Sequence, residues 1–122
     1  MDAAGFLALM DLTPAGPDRW LARSPDNGWK RVFGGQVLAQ ALIAAERSVE
    51  GRTPHSLHAY FILAGEPAEP IELSVERVRD GRSFSVRRVV ARQRGEMMFV
   101  MSVSFQVEEA GVLNHALPPP AV

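Results

Sequence analysis

The clearest pattern of hydrophobic and polar positions lies between residues 97 and 107, near the end of the chain. Apolar residues occupy every second position there, and serine or glutamine occupies three of the positions between them. Residues with a period of two share one face of a β-strand. We therefore predict a strand with one uninterrupted apolar face, formed by Met97, Phe99, Met101, Val103, Phe105 and Val107.

Other strands are predicted before it. Residues 71–79 alternate in the same way, and the Asp-Gly pair at positions 80 and 81 is a strong hairpin-turn signal. A further strand over residues 83–93 leads to a second turn at Arg94 and Gly95. Residues 55–63 and 19–23 are also strand candidates. The pattern predicts at least four antiparallel strands joined by hairpins.

Between the first strand candidate and the others, the pattern changes to that of a helix. From Gly35 to about Val49 the apolar residues cover most of the circumference and leave a narrow polar stripe through Gln36, Gln40 and Arg47. A helix of this kind is buried, and its four alanines make it thin enough for a sheet to approach on more than one side. A short helix over residues 5–12 is predicted to end before Pro14 and Gly16.

These elements predict an α+β fold in which an antiparallel sheet wraps around one long central helix. That arrangement is the hot-dog fold. The length of 122 residues fits a single domain. We assign residues 1–111 to it and treat the proline-rich residues 112–122 as a tail or linker.

Composition narrows the function classes. The net charge of -1 gives no basis for binding nucleic acid. Without cysteine the chain has no thiolate nucleophile, disulfide or zinc–thiolate site. The longest mainly apolar stretch, around residues 37–45, is far short of the roughly 20 residues of a membrane span. We expect a cytoplasmic protein.

Three blocks of the sequence carry a resemblance: RVFGGQVLAQAL at residues 31–42, HSLHAYFILAGEP at 55–67 and RDGRSFSVRRVVARQRGEMMFVMSVSFQ at 79–106. They resemble, in this order, the N-terminal hot-dog domain of the acyl-CoA thioesterase II (TesB-type) family. The resemblance covers about residues 6–111. It implies an enzyme of two tandem hot-dog domains that hydrolyses acyl-CoA to free fatty acid and coenzyme A, without a cofactor.

The resemblance also implies where the catalytic residues belong. In the family an Asp, a Ser or Thr, and a Gln in the second domain hold the hydrolytic water. Laid over this chain, the Gln position falls on Gln106, the Ser/Thr position falls near Ser83 or Ser85, and the Asp position falls on Leu57. Because leucine cannot act as a base, the resemblance implies pairing with a second hot-dog domain or with a second copy of the chain.

Two adjacent glycines, Gly34 and Gly35, stand at the predicted start of the helix. They serve either a tight turn or the close approach of a negatively charged group to bare backbone amides. In a hot-dog protein the second interpretation places the thioester oxygen there. Gln36 and Gln40 either line the same pocket or are polar residues at a subunit contact.

The remaining candidates each have two interpretations. His55 and His58 lie three apart on a predicted strand, so we expect them on opposite faces, as a general base or as ordinary surface histidines. Tyr60 is in the same block, which borders the expected acyl pocket. Residues 76–94 contain seven arginines against two acidic residues. Arg87 and Arg88 in this patch would bind coenzyme A phosphates, or the patch is a solvated sheet edge.

The sequence therefore predicts an acyl-CoA thioesterase. The alternative is a non-catalytic hot-dog module that binds acyl-CoA or serves as a structural half, which Leu57 favours. Hydratase chemistry would need a His with an acidic partner on the helix, and the helix offers only Glu46 near its far end.

Overall fold

The computed structural model describes residues 11–24 and 34–107. The predicted N-terminal helix, except for its last two positions, and the proline-rich tail lie outside these residues. In chain order the elements are β1 (Thr13–Gly16), β2 (Arg19–Ala22), α1 (Gly34–Glu46), β3 (Arg52–Phe61), β4 (Ile71–Asp80), β5 (Phe84–Gln93) and β6 (Glu96–Val107).

The six strands form one antiparallel sheet in the order β1-β2-β4-β5-β6-β3. The predicted hairpins between β4 and β5 and between β5 and β6 are confirmed. The expectation that every strand is joined to the next by a hairpin is wrong for β3, which pairs with β6 and not with β4. As a result β3, ten residues long, forms an edge of the sheet.

Strand β1 was not predicted, because Pro14 and Gly16 are residues that usually interrupt regular structure. It lies at the other edge of the sheet, where a proline removes no internal hydrogen bond. A register shift between Pro14 and Gly16, with a φ of 132° at Gly16 and 54° at Asp18, turns the chain into β2.

The core lies between α1 and the face of the sheet that contacts it, which we call the helix face. Helix α1 contacts strands β2 to β6. Ala41, Ala44 and Ala45 are completely buried, which allows the close approach that the alanine content predicts. The α+β class is thus confirmed, but α1 has 13 residues and ends at Glu46 rather than Val49. Hydrogen bonds from Ser48 N to Ala45 O and from Val49 N to Glu46 O tighten the chain there into turns.

The apolar face of β6 is interrupted once. Ala91 pairs with Phe99 and Arg92 pairs with Met97, so Met98 is an extra residue in the ladder. Met98 is 4% exposed, whereas Met97 is only partly buried. The prediction of an unbroken face from Met97 onwards is wrong at this bulge, and Met98 takes the inner position.

Candidate functional site

A cavity of about 290 Å³ opens where α1 begins. Among the residues that the structure describes, those that line it are all apolar: Gly34, Val37, Phe61, Ile62, Leu63, Ala64, Gly65 and Met98. The first turn of α1 contains no acidic residue to neutralise the positive end of the helix dipole. The arrangement can hold an apolar group with a partly negative oxygen at the helix start.

The wall of this cavity leaves little room for a side chain at residue 34. A Cβ atom at Gly34 would lie 3.2 Å from Cε1 of Phe61, which is tighter than an ordinary contact. Phe61 in turn packs on Phe99, with 5.1 Å between the ring centroids. Glycine therefore lets the start of the helix approach the end of β3. Gly35 follows in the helix and is exposed.

Gln36 and Gln40 are not in this cavity. They are 1% and 0% exposed and contact the residues just after β2, so two of the three residues of the predicted polar stripe are buried, whereas the third, Arg47, is exposed. Gln40 Nε2 donates to Arg23 O at 3.1 Å, and Gln36 Nε2 donates to Ser24 Oγ at 2.8 Å and to Gln40 Oε1 at 3.5 Å. The amides tie the residues after β2 to the helix. Within the described residues, Gln36 Oε1 accepts no hydrogen bond.

His55 and His58 lie on the face of the sheet opposite α1, which we call the outer face. His58 pairs in register with the exposed Ser102, and a register shift between Pro54 and Ser56 brings His55 to the same side. There His55 Nε2 and Ser104 Oγ are 2.8 Å apart, and the ring of His55 lies 5.5 Å from that of Phe84. The prediction of opposite faces is wrong, because the bulge changes the parity of the strand.

The other candidate site residues on the strands are divided between the two faces of the sheet. Gln106 and Tyr60 are exposed and belong to the outer face by register, as Gln106 pairs with Phe84 and Tyr60 with Val100. Leu57, at the family's Asp position, pairs with Val103 on the helix face and packs on the core. The sheet therefore separates the cavity from His55, His58 and Gln106. Their catalytic roles stay predictions.

Arg87 lies on the helix face at the far end of α1, with its side chain 1% exposed. Its Nε donates to Ser48 Oγ at 2.7 Å and its Nη2 donates to Ser48 O at 3.1 Å, just after the helix. Further bonds go to the carbonyl groups of Arg79 and Val86 and to Asp80 Oδ1. All three nitrogens are used within the protein, which favours a structural role for Arg87. The phosphate contacts of Arg87 and Arg88 stay predictions.

Ser85 belongs to the same network and is 2% exposed. Its hydroxyl donates to Asp80 Oδ1 at 2.8 Å and accepts from Arg52 Nη1 at 2.9 Å. Ser83 is exposed in the β4–β5 turn, and its carbonyl accepts from Val107 N. Neither serine lies at the cavity, so their substrate contacts stay predictions.

The rest of the arginine patch is partly paired. Arg77 donates to both carboxylate oxygens of Asp18, and Arg88 lies 3.6 Å from Glu76 on the outer face. Arg94 contacts Glu66 and Glu69. These exposed ion pairs reduce the positive charge that the sequence alone suggests for residues 76–94.

Residues 62–65, which follow β3, form one wall of the cavity. The sequence block that contains them was expected to border the acyl pocket, but none of these four residues was among the predicted contacts. The sequence does contain a signal for this wall, because Tyr60, Phe61, Ile62 and Leu63 are four consecutive apolar residues at the end of a predicted strand. The side chains of these four are 71%, 59%, 50% and 48% exposed. Consecutive apolar residues at the end of a strand place apolar side chains on both of its sides, and this pattern indicates a contact surface.

The pKa of Asp80 is lowered by the hydrogen bond from Ser85 first and by that from Arg87 second. A carboxyl group with a lowered pKa in the folded state stabilises the fold above its unfolded pKa, here 3.8, and loses this contribution as the pH falls through the folded value. The pKa values of Asp18 and Glu69 are also lowered, by hydrogen bonds from Arg77 and Arg94.

We therefore expect the free energy of unfolding to fall below about pH 4 and to fall less steeply in Asp80→Asn. The amide oxygen still accepts from Ser85 and Arg87, but it has no charge to lose. Urea unfolding of both proteins between about pH 6 and pH 3 measures the two slopes. Equal slopes would show that Asp80 is not linked to folding in this way.

Among residues 11–24 and 34–107, no helix is long and apolar enough to cross a membrane. In the same residues, no group of three or more His, Asp or Glu side chains is placed to bind a metal ion.

In the described residues, helix α1 packs on a six-stranded antiparallel sheet, which is the arrangement of the hot-dog class of domain, and comparisons with known proteins identify the family. A sequence model of the acyl-CoA thioesterase N-terminal domain matches residues 22–106. The chain is 43% identical to acyl-coenzyme A thioesterase 8 of Homo sapiens over 115 residues, which are 93% of this chain and 36% of the human protein. It is 47% identical to acyl-CoA thioesterase 2 of Haemophilus influenzae over 89 residues, or 72% of this chain and 31% of that protein.

Among solved structures, a tesB protein of Mycobacterium avium subs paratuberculosis superimposes with a TM-score of 0.83 at 35% identity, covering 89% of this chain and 44% of that one. The chain belongs to the acyl-CoA thioesterase N-terminal domain family. It spans about a third of the length of the relatives named above.

Proposed function

We propose that the chain is the N-terminal hot-dog domain of an acyl-CoA thioesterase, which hydrolyses fatty acyl-CoA to free fatty acid and coenzyme A. The observation that carries the proposal is the apolar cavity at the start of α1. The acyl chain lies against Phe61 and Met98, and the thioester carbonyl oxygen lies at the helix start, where amide groups and the helix dipole favour negative charge.

In the reaction, water attacks the thioester carbonyl carbon, the carbon–sulfur bond breaks, and coenzyme A leaves as its thiol with a proton from the water. The developing oxyanion is stabilised by the amides at Gly34 and Gly35, and each such donor can be worth about 3 kcal/mol. A base must take the proton from the attacking water. Among the described residues, none of the side chains that line the cavity ionises, so the proposal assigns the base to residues beyond this lining.

The proposal therefore includes a second hot-dog domain, from the same longer protein or from a second copy of the chain. Two features support pairing along β3. This edge strand leaves one row of backbone groups without a neighbour in the sheet, and exposed apolar side chains stand at its end. Pairing there brings a second domain next to the cavity. The absence of cysteine fits a reducing compartment, and we place the enzyme in the cytoplasm.

A chain-length series of acyl-CoA substrates tests the function through release of free thiol and through direct binding. We expect acyl-CoA binding by the chain and hydrolysis when the second domain is joined to it. Binding without hydrolysis in the joined protein would support the non-catalytic module instead. If the joined protein shows no binding and no hydrolysis of acyl-CoA, both functions are contradicted.

Gly34→Val tests the cavity itself. The valine side chain would enter the space next to Phe61, and we expect acyl-CoA affinity to fall by about fivefold or more, as crowding of about 1–3 kcal/mol implies. Ala39→Val is the control, since it adds the same kind of side chain to the same helix away from the cavity lining. Calorimetry measures the affinity of both variants for acyl-CoA. Equal affinities would show that the acyl group does not bind in this cavity.

A further inference from the structure

The wall of the cavity formed by residues 62–65 is irregular and begins a connection of nine residues between β3 and β4. At its start, Ile62 N and Leu63 N both donate to Met98 O, at 2.9 and 3.2 Å. Within the connection itself, the structure records one backbone bond, from Glu69 N to Glu66 O. The position of this wall therefore depends on contacts with other elements.

Gln93, the last residue of β5, supplies three of these contacts from one side chain. Its Oε1 accepts from Glu66 N at 2.9 Å, and its Nε2 donates to Glu66 O at 2.9 Å and to Glu69 O at 3.1 Å. An amide has both an acceptor and donors, and here both are used on the backbone of the connection. Few other side chains could satisfy this pattern.

The next residue extends the contact. Arg94 has a φ of 53°, in the left-handed region that is uncommon outside glycine, and its Nη2 lies 3.2 Å from Glu66 and 2.6 Å from Glu69. A second cavity of about 170 Å³ lies between this turn and the wall, and it shares Leu63, Ala64 and Met98 with the cavity at the helix start. One side of residues 63 and 64 faces the acyl cavity and the other faces this turn.

We propose that Gln93, supported by Arg94, is a positioning residue that fixes the wall of the acyl cavity and thereby sets the length of acyl chain that the site accepts. It touches no substrate and acts through the backbone of residues 66–69 on the side chains of residues 62–65. This inference rests on the proposed function. The part of it that concerns the wall can be measured without any substrate.

The experiment compares Gln93→Met with the native chain. Methionine keeps the length of the side chain and loses all three hydrogen bonds, so we expect the amides of residues 62–69 to exchange with deuterium about tenfold faster or more. Gln93→Glu retains the acceptor for Glu66 N but cannot donate to the two carbonyl groups, and it adds charge beside Glu66. We expect it to exchange faster than the native chain as well. Glu72→Met is the control, since Glu72 pairs in register with Arg92, next to Gln93, and its side chain makes no hydrogen bond to the connection in the described structure.

The second measurement is the ratio of kcat/KM for long and short acyl-CoA in the enzyme with its second domain. We expect this ratio to change at least about threefold in Gln93→Met, with KM changing more than kcat, and to stay constant in Glu72→Met. Native exchange rates in Gln93→Met, or faster exchange with an unchanged ratio, would overturn the proposal. If the native enzyme hydrolyses no acyl-CoA, the proposed function and the selection of acyl length fall together, and the exchange data decide the positioning of the wall by themselves.

Discussion

Arg87→Ala should lower the free energy of unfolding by about 3 kcal/mol or more, while Arg88→Ala should lower it by less than about 1 kcal/mol. The two arginines are neighbours on β5 and point to opposite faces. Arg87 is 1% exposed and bonds to Ser48, just after the helix, and to two strand carbonyls. Alanine leaves these groups without donors and opens a cavity. Arg88 is 41% exposed in a 3.6 Å ion pair with Glu76, a contact that contributes little.

Chemical denaturation of both variants measures the difference. Should Arg87→Ala not fold, Ser48→Ala, which removes one of the five contacts, provides a smaller loss of about 1 kcal/mol in the same direction. Acyl-CoA affinity measured on the same proteins separates structure from binding. Equal stabilities of Arg87→Ala and Arg88→Ala, with affinity lost only in the first, would make Arg87 a ligand residue and contradict its structural role.

Tyr60→Asp should weaken the pairing of this domain with a second hot-dog domain by about thirtyfold or more, the loss expected for a central aromatic contact. Tyr60 is 71% exposed on edge strand β3, next to the exposed Phe61, Ile62 and Leu63. A carboxylate there would have to be desolvated in the pair. Tyr60 is the better choice over Phe61, because Phe61 also packs on the core residue Phe99.

Sedimentation velocity over a concentration series measures this association. Val78→Asp is the matched control, since Val78 is 53% exposed on β4, away from the β3 edge. We expect Val78→Asp to associate as the native chain does. If Tyr60→Asp also associates normally, the edge of β3 is not the pairing surface.

The candidate site was predictable only in its local parts. The helix start at Gly34 follows from the sequence pattern, and so does the neighbourhood of residues 55–63. The buried state of Arg87 does not follow, because its partners Ser48 and Arg79 lie in the turn after α1 and on β4, 39 and 8 residues away in the chain. Nor does the role of Gln93, whose partners Glu66 and Glu69 are more than 20 residues away in the chain.

The sequence by itself determined the elements that depend on short-range patterns: the alternating strands β4, β5 and β6, the turns at Asp80-Gly81 and Arg94-Gly95, the apolar alanine-rich helix and the family. The strands, turns and helix depend on residue preferences over a few positions, and the family follows from the three sequence blocks. Only the tertiary structure decided that β3 lies beside β6, that bulges bring His55 beside Ser104 and Met98 into the core, and that the sheet separates His55, His58 and Gln106 from the cavity. Those features depend on which strands pair and in which register, and that is a property of the whole packed sheet.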